Sequence, residues 1–328
     1  MSSSKSIAVV GGGYWGPNLI RNFNALGALG AICDRSPAVL SKLHAEYPEV
    51  KAYADFEDVL KDDSIQGVVI ATPAGTHHRL AMQAMQAGKN VFVEKPLALS
   101  SAEAEDLAKA ADSLGRVLMV GHILEYHPAY ETLVDLIRQG ELGEVKHVRS
   151  SRLSLGKLRH EEDVLWSFGP HDVSLILGIL DAEPTTVSAF GHAILQPEIA
   201  DQVHVDMRFA SGATAHIHVS WLEPQKLHQL VVIGTKKMAI FEDSRTEGKL
   251  RVFDRGFDLE GDTWQLRRGD ESVVDFPAGE PMKRECQHFL DCIASNSRPK
   301  SDGWDGVRVL RVLETATQQM KEKEGILV

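Results

Sequence analysis

The chain has 328 residues, 43% of them hydrophobic and 25% charged, and a net charge of -11. Its length is about twice a typical domain, so two domains are expected. The acidic balance argues against nucleic acid or an anionic membrane as the main partner, because phosphates are held by clustered Lys and Arg. A local basic pocket for a small anion stays compatible with it. The three cysteines, Cys33, Cys286 and Cys292, are odd in number and lack a metal spacing. That fits a reducing cytoplasm better than a disulfide framework. The start, Met1-Ser2-Ser3-Ser4-Lys5-Ser6, has no apolar signal core and reads as a frayed tail. No apolar run reaches the roughly eighteen residues of a membrane span.

Up to about Gly121, short apolar runs alternate with helical stretches. Strands are expected at 7–10, 28–33, 67–71, 90–93 and 117–120, and helices at 15–26, 37–47, 56–61, 76–87 and 102–114. The runs are almost continuously apolar, so both faces should be buried, as in a doubly wound parallel sheet. Ser100 with Glu103 makes a capping box. Gly88 and Gly115 stand where a left-handed helix stop is expected.

After Gly121 the periodicity changes. A helix is expected at 128–139 and another starting near Pro170. Then Val203, Val205, Met207 and Phe209 alternate with polar residues, as do Ala215, Ile217, Val219 and Trp221. Period two predicts a large, mostly antiparallel sheet with one face on helices and the other more polar. A last helix is expected at 307–321. The division falls near residue 122, giving domains 1–122 and 123–328.

Gly11-x-Gly13-x-x-Gly16 follows an apolar strand and opens a helix. One glycine makes the tight turn, one leaves bare backbone for a pyrophosphate, and one lets helix and strand pack closely. Tyr14 and Trp15 lie inside the loop. The second strand ends in Asp34, within the ~20 residues expected of a ribose-binding carboxylate. Such a carboxylate repels a 2′-phosphate, which favours NAD over NADP; Arg35 beside it could serve a 2′-phosphate or stack on adenine. Thr72, Pro73 and His77 follow the next long strand and are placed to line the nicotinamide side. For His77, a helix-start histidine bonded to backbone is an equal alternative.

Glu94-Lys95-Pro96 ends the strand at 90–93, and Lys95-Pro96 is a candidate cis peptide. An ammonium there can stabilise an alkoxide during hydride transfer; a solvated loop lysine is the plain alternative. In Trp166-Ser167-Phe168-Gly169-Pro170-His171-Asp172, Pro170 suits a first helical position. His171 on that first turn could act as general base or could merely pack. His204, His216 and His218 could share a sheet face, but no carboxylate or cysteine partner completes a recognisable metal spacing, so no metal is expected.

Together these residues resemble the Gfo/Idh/MocA family of oxidoreductases. The matching pieces are Gly11 through Asn18, Ala71-Thr72-Pro73 with His77, Glu94-Lys95-Pro96 and Gly169-Pro170-His171-Asp172. Later come Glu280-Pro281 with Glu285, His288-Phe289, and Ser301-Asp302-Gly303. The resemblance implies an N-terminal Rossmann domain binding NAD. It also implies a C-terminal α+β domain whose open sheet binds substrate and builds a homodimer or homotetramer, with the last helix free to pack back on the first domain. It makes Lys95 the catalytic lysine and His171 the acid/base. Many members carry Asp four residues before that histidine; here the position is Ser167, which cannot hold a charge. Asp163 and Asp172 are the candidate substitutes.

The style of these motifs is similar to members that oxidise C3 of UDP-N-acetylglucosamine to a 3-keto sugar for later transamination, in polysaccharide or lipid A biosynthesis. Candidate nucleotide-sugar contacts are then Arg149, Arg152, Arg159, Trp166, Asp172, Lys226 and His228, each with surface solvation as its plain alternative. An inositol or polyol dehydrogenase, a sugar ketoreductase, and a non-catalytic NAD-binding sensor are the other readings.

Overall fold

The apolar runs of the first third fold as strands buried on both faces. A computed structural model describes residues 5–324. The chain runs β1 (Ile7–Val10), α1 (Gly16–Ala25), β2 (Leu29–Cys33), α2 (Pro37–Glu46), β3 (Lys51–Tyr53), α3 (Phe56–Lys61), β4 (Gly67–Ile70), α4 (His77–Gln86), β5 (Asn90–Glu94), α5 (Ser101–Leu114) and β6 (Leu118–Gly121). The six strands pair in the order β3-β2-β1-β4-β5-β6, all parallel. This is the doubly wound order, whose ligand sites lie at the carboxyl ends of the strands. Strand β3 was not foreseen. Its three residues, Lys-Ala-Tyr, form no apolar run, and Lys51 and Tyr53 are held from outside by the Asp62 carboxylate at 2.7 and 2.9 Å.

The expected punctuation is present. The Ser100 hydroxyl accepts from Glu103 N at 3.2 Å, and Gly115 closes α5 at φ 61°. The Glu103 carboxylate accepts from Leu99 N, one residue outside the ideal box.

In the second half come α6 (Pro128–Arg138), β7 (Val145–Leu155), α7 (Val164–Leu180), β8 (Thr186–His192), β9 (Gln202–Arg208), β10 (Thr214–Ser220), β11 (Leu222–Gly234), β12 (Met238–Glu242), β13 (Leu250–Glu260) and β14 (Thr263–Val273). They build an eight-stranded sheet in the order β14-β13-β12-β11-β7-β10-β9-β8. Only β7 and β10 run parallel. The chain ends with α8 (Pro281–Ser295) and α9 (Gly303–Glu324). Two units result: 1–123 with 279–310, and 124–278 with 311–328. In the first, Phe289 of α8 packs edge-on against Phe92 and Phe23. Ser301 covers the outer side of β6: its backbone carbonyl accepts from Val120 N and its hydroxyl donates to Val120 O. No described helix is long and apolar enough to cross a membrane.

Helix α7 differs from expectation. It starts at Val164, so Pro170 lies in its interior and His171 in its middle. The helix start read at Gly-Pro gives way to an N-cap upstream: the Asp163 carboxylate accepts from Trp166 N at 2.9 Å. Twelve of the helix's seventeen residues are buried, so packing rather than propensity holds it together. Burial pushes the Asp163 carboxyl up to about 6, while the bonds from Trp166 and Leu165 pull it down. The folded carboxyl therefore keeps a proton that the unfolded one loses, and its contribution to stability falls as pH rises from about 4 to about 6. We expect Asp163→Asn to keep the cap and flatten the thermal-melt dependence in that window relative to wild type. Asp163→Ala removes the cap as well, and its cost of about 1–2 kcal/mol near pH 4 should shrink as pH rises toward 6.

Candidate active site

The cofactor end is built by close approaches that only glycine allows. Gly11 has φ 97°, and a Cβ there would lie 2.6 Å from Ala71 O on the neighbouring strand. A Cβ on Gly16 would collide with the Gly11 carbonyl. Gly13 meets nothing within 4 Å, so its backbone faces open space beside the start of α1. No side chain caps that helix, which leaves its N-terminal N–H groups for an anion. The cradle fits a pyrophosphate.

Asp34 does more than expected. Its Oδ2 accepts from Gly12 N at 2.7 Å and its Oδ1 from Ser36 N at 2.8 Å, fastening the loop to the end of β2. A carboxylate has about four lone-pair sites, so two remain for ribose hydroxyls. Arg35 and Tyr14 are exposed at the same rim.

Trp15 reaches across to the end of β5, where its indole Nε1 donates to Glu94 Oε1 at 2.6 Å. The other oxygen, Oε2, accepts from Lys95 N at 3.2 Å and lies against Gly121, where a Cβ would be 3.0 Å away. Glu94 is thus buried between loop and sheet. Burial raises its carboxyl to about 7, against the pull of Trp15 and the Lys95 charge. Lys95 follows it, half-buried, and the Lys95-Pro96 bond is cis. His122, just past β6, is buried, and neither ring nitrogen has a hydrogen-bond partner among the described residues. Burial, helped by the Lys95 charge, lowers its pKa to about 3.

His77 realises the backbone-bonded alternative. Its Nδ1 faces Pro96 O at 2.7 Å and its Nε2 faces Thr72 O at 2.8 Å. Burial lowers its pKa, and a neutral ring can donate to only one of the two carbonyls. The ring braces the rim instead of projecting from it. Thr76 donates to Pro73 O, so Thr72 donates to Thr76 at 2.6 Å.

In the second unit, His171 is half-buried on α7, with the buried Ser167 one turn before it. The two candidate substitutes for the missing aspartate are already engaged. Asp163 caps the helix. Asp172 is buried, accepting from Arg152 Nε at 2.8 Å, Arg152 Nη2 at 3.2 Å and the Ser150 hydroxyl at 2.5 Å. Arg152 and Asp172, expected to meet substrate, pair with each other and fasten α7 to β7.

Period two separates the remaining candidates. Ser150 and Arg152 point to the α7 face, so Arg149 points to the other, beside Gln229. His228 pairs with Arg152 across strands, and burial lowers its pKa to about 4. Arg159 lies 3.8 Å from Glu162 and Lys226 is exposed. The Trp166 indole donates to Thr317 at 3.0 Å. On the open face His204 stacks on His218 at 4.1 Å with His216 adjacent. Among the described residues no group of three or more His, Cys, Asp or Glu could hold a metal.

A parallel doubly wound sheet with a pyrophosphate cradle and a lysine at the end of a later strand defines a dinucleotide-dependent oxidoreductase. Comparison with known proteins agrees. The NAD-binding Rossmann fold of the Gfo/Idh/MocA oxidoreductase family matches residues 5–122, and the family's C-terminal domain matches 130–240. The chain belongs to the Gfo/Idh/MocA family, and its cofactor is NAD.

It is 28% identical over 309 residues to UDP-N-acetylglucosamine 3-dehydrogenase of Acidithiobacillus ferrooxidans, spanning 92% of this chain and 93% of the relative. The solved structure of that enzyme, GnnA, superposes with a TM-score of 0.84 at 26% identity, covering 97% of this chain and 98% of that one. Identity to scyllo-inositol 2-dehydrogenase (NAD(+)) of Bacillus subtilis is 27% over 280 residues, 80% of this chain and 78% of the relative.

Removing one partner of the buried Arg152–Asp172 pair strands the other charge. Asp172→Ala should therefore cost about 3–5 kcal/mol in urea denaturation, a loss that a surface substrate contact would not show.

Proposed function

We propose that the chain oxidises a hydroxyl of a UDP-linked amino hexose, at C3, leaving a 3-keto sugar for a transaminating enzyme. The observation that carries the chemistry is Lys95, set on a strand end whose preceding carboxylate is tied to the glycine loop. Bound NAD supplies the hydride acceptor. The Lys95 ammonium stabilises negative charge as it develops on the substrate oxygen. His171 takes the hydroxyl proton. Ser167, where relatives carry an aspartate, cannot hold a charge, so Lys95 carries more of the charge handling. Similarity to GnnA over nearly the whole chain supports the substrate.

A free polyol such as an inositol is the second reading. Arg152 is engaged with Asp172 and Arg149 lies on the opposite sheet face, leaving Arg159 and Lys226 as the cations for a diphosphate, since His228 is held neutral. Similarity to the inositol dehydrogenase points the same way. The family resemblance further supports a homo-oligomer formed through the eight-stranded sheet, working in the cytoplasm.

The test is NADH formation from NAD with UDP-N-acetylglucosamine, coupled to a sugar aminotransferase and glutamate so that the ketone is drawn off. We expect NADH and an amino-sugar product. Turnover of inositol alone, with no thermal shift from uridine nucleotides, would establish the second reading instead. Lys95→Ala and His171→Ala should each lower kcat by about a hundred- to ten-thousand-fold while NAD affinity is kept. Unchanged physiological output from both variants would mark a cofactor-binding sensor.

A further inference from the structure

Glu94 is tied to both halves of the cofactor site. Its Oε1 accepts from Trp15 of the glycine loop at 2.6 Å and its Oε2 from Lys95 N at 3.2 Å. Strand register sets it level with Gly121 on β6, whose missing side chain makes the room. It is 9% exposed, so a charge on it is little screened by salt.

The reacting end of the cofactor changes charge during the reaction. The nicotinamide ring is positive in NAD and neutral in NADH. Lys95 must reach the substrate oxygen on the very carbon that yields the hydride, so the ring lies close to Lys95 and to the carboxyl one residue before it. Asp34 stands at the end of β2, three strand spacings or roughly 14 Å away. The other ionisable groups around Glu94 are Lys95, His122 at the end of β6, and Cys286 with Glu285 on α8. Burial and the Lys95 charge keep His122 neutral, and burial pushes the Cys286 thiol far up.

We infer that Glu94 is the residue by which the protein tells oxidised from reduced cofactor, favouring NAD as a carboxylate and admitting NADH as a neutral acid. Burial already raises this carboxyl to about 7, so both forms are populated near neutral pH. A positive ring close by lowers the pKa of such a group by about 1–3. NAD therefore has to displace a proton to bind below pH 7, and NADH does not. During turnover the hydride passes from the substrate carbon to the ring and the hydroxyl proton to His171. The further proton that Glu94 gains comes from solvent and returns there when NADH is exchanged for NAD. The inference rests on the placing of Lys95 in the proposed function, and not on which sugar or polyol is oxidised.

The test is calorimetric titration of the full chain with NAD and with NADH, without substrate, in two buffers of different ionisation enthalpy. NAD affinity should weaken about five- to tenfold from about pH 8 to about pH 6, while NADH affinity does not weaken. At about pH 7, NAD binding should release about half a proton and NADH binding none. Glu94→Gln, with a thermal melt as the control for folding, should lose both effects. Trp15→Phe keeps the carboxyl but removes a bond that favours its charged form, so the fall in NAD affinity should begin at higher pH. NAD and NADH affinities that respond alike to pH would overturn the inference, as would a Glu94→Gln protein that keeps the wild-type difference. A Lys95→Ala variant with undiminished kcat would overturn the placing of Lys95 itself, and the inference with it.

Discussion

Glu94 is the group on which the cofactor half of the structure turns. It is a carboxyl held out of water at the end of β5, one residue before Lys95. Burying an acid costs several kcal/mol unless its oxygens are bonded. Here Trp15 of the glycine loop bonds one oxygen and Lys95 N bonds the other. The bond from Trp15 crosses 79 residues of sequence, so the loop that receives the pyrophosphate and the strand end that delivers the ammonium are one connected piece. Asp34 does the same on the other side of the loop through Gly12 N, and His77 closes the rim by facing the carbonyls of Thr72 and Pro96. The lysine is set by what surrounds its backbone.

The second unit is organised by a different buried charge. Arg152 on β7 and Asp172 on α7 form a two-pronged pair on the helix-facing side of the sheet, with Ser150 satisfying a further lone pair. That pair fixes the rotation of α7 on the sheet, and so the direction in which His171, one residue away, can point. Two residues read from sequence as substrate contacts thus act on the geometry of their neighbour. Asp163 and Asp172, the two candidate substitutes for a carboxylate at Ser167, are both engaged elsewhere.

Much of this was legible in the sequence, for physical reasons. Continuous apolar runs announce strands buried on both faces, and the glycine spacing announces a backbone that must come within van der Waals range of its neighbours. Gly11 bears this out, since any Cβ there would strike Ala71 O. Period two revealed the second sheet. What stayed hidden was of four kinds. Strand β3 is held by polar side-chain bonds and carries no apolar pattern. The start of α7 was misplaced because Gly-Pro reads as a helix entry, whereas the Asp163 cap and burial of the surrounding residues carry the helix through Pro170. Long-range polar pairs such as Trp15–Glu94 and Arg152–Asp172 join residues whose spacing bears no periodic signature. The buried His122, without hydrogen-bond partners among the described residues, gave no sequence signal at all.

The claim that the glycine loop fixes the Lys95 strand end through Glu94 is tested most directly by single-turnover hydride transfer in Trp15→Phe as a function of pH. Phenylalanine keeps the ring and removes the donor. Losing a bond that favours the carboxylate raises the Glu94 pKa further above its value of about 7. The account predicts a slower hydride-transfer step whose acid limb moves to higher pH. An unchanged rate and unchanged limb, with only NAD affinity altered, would contradict it.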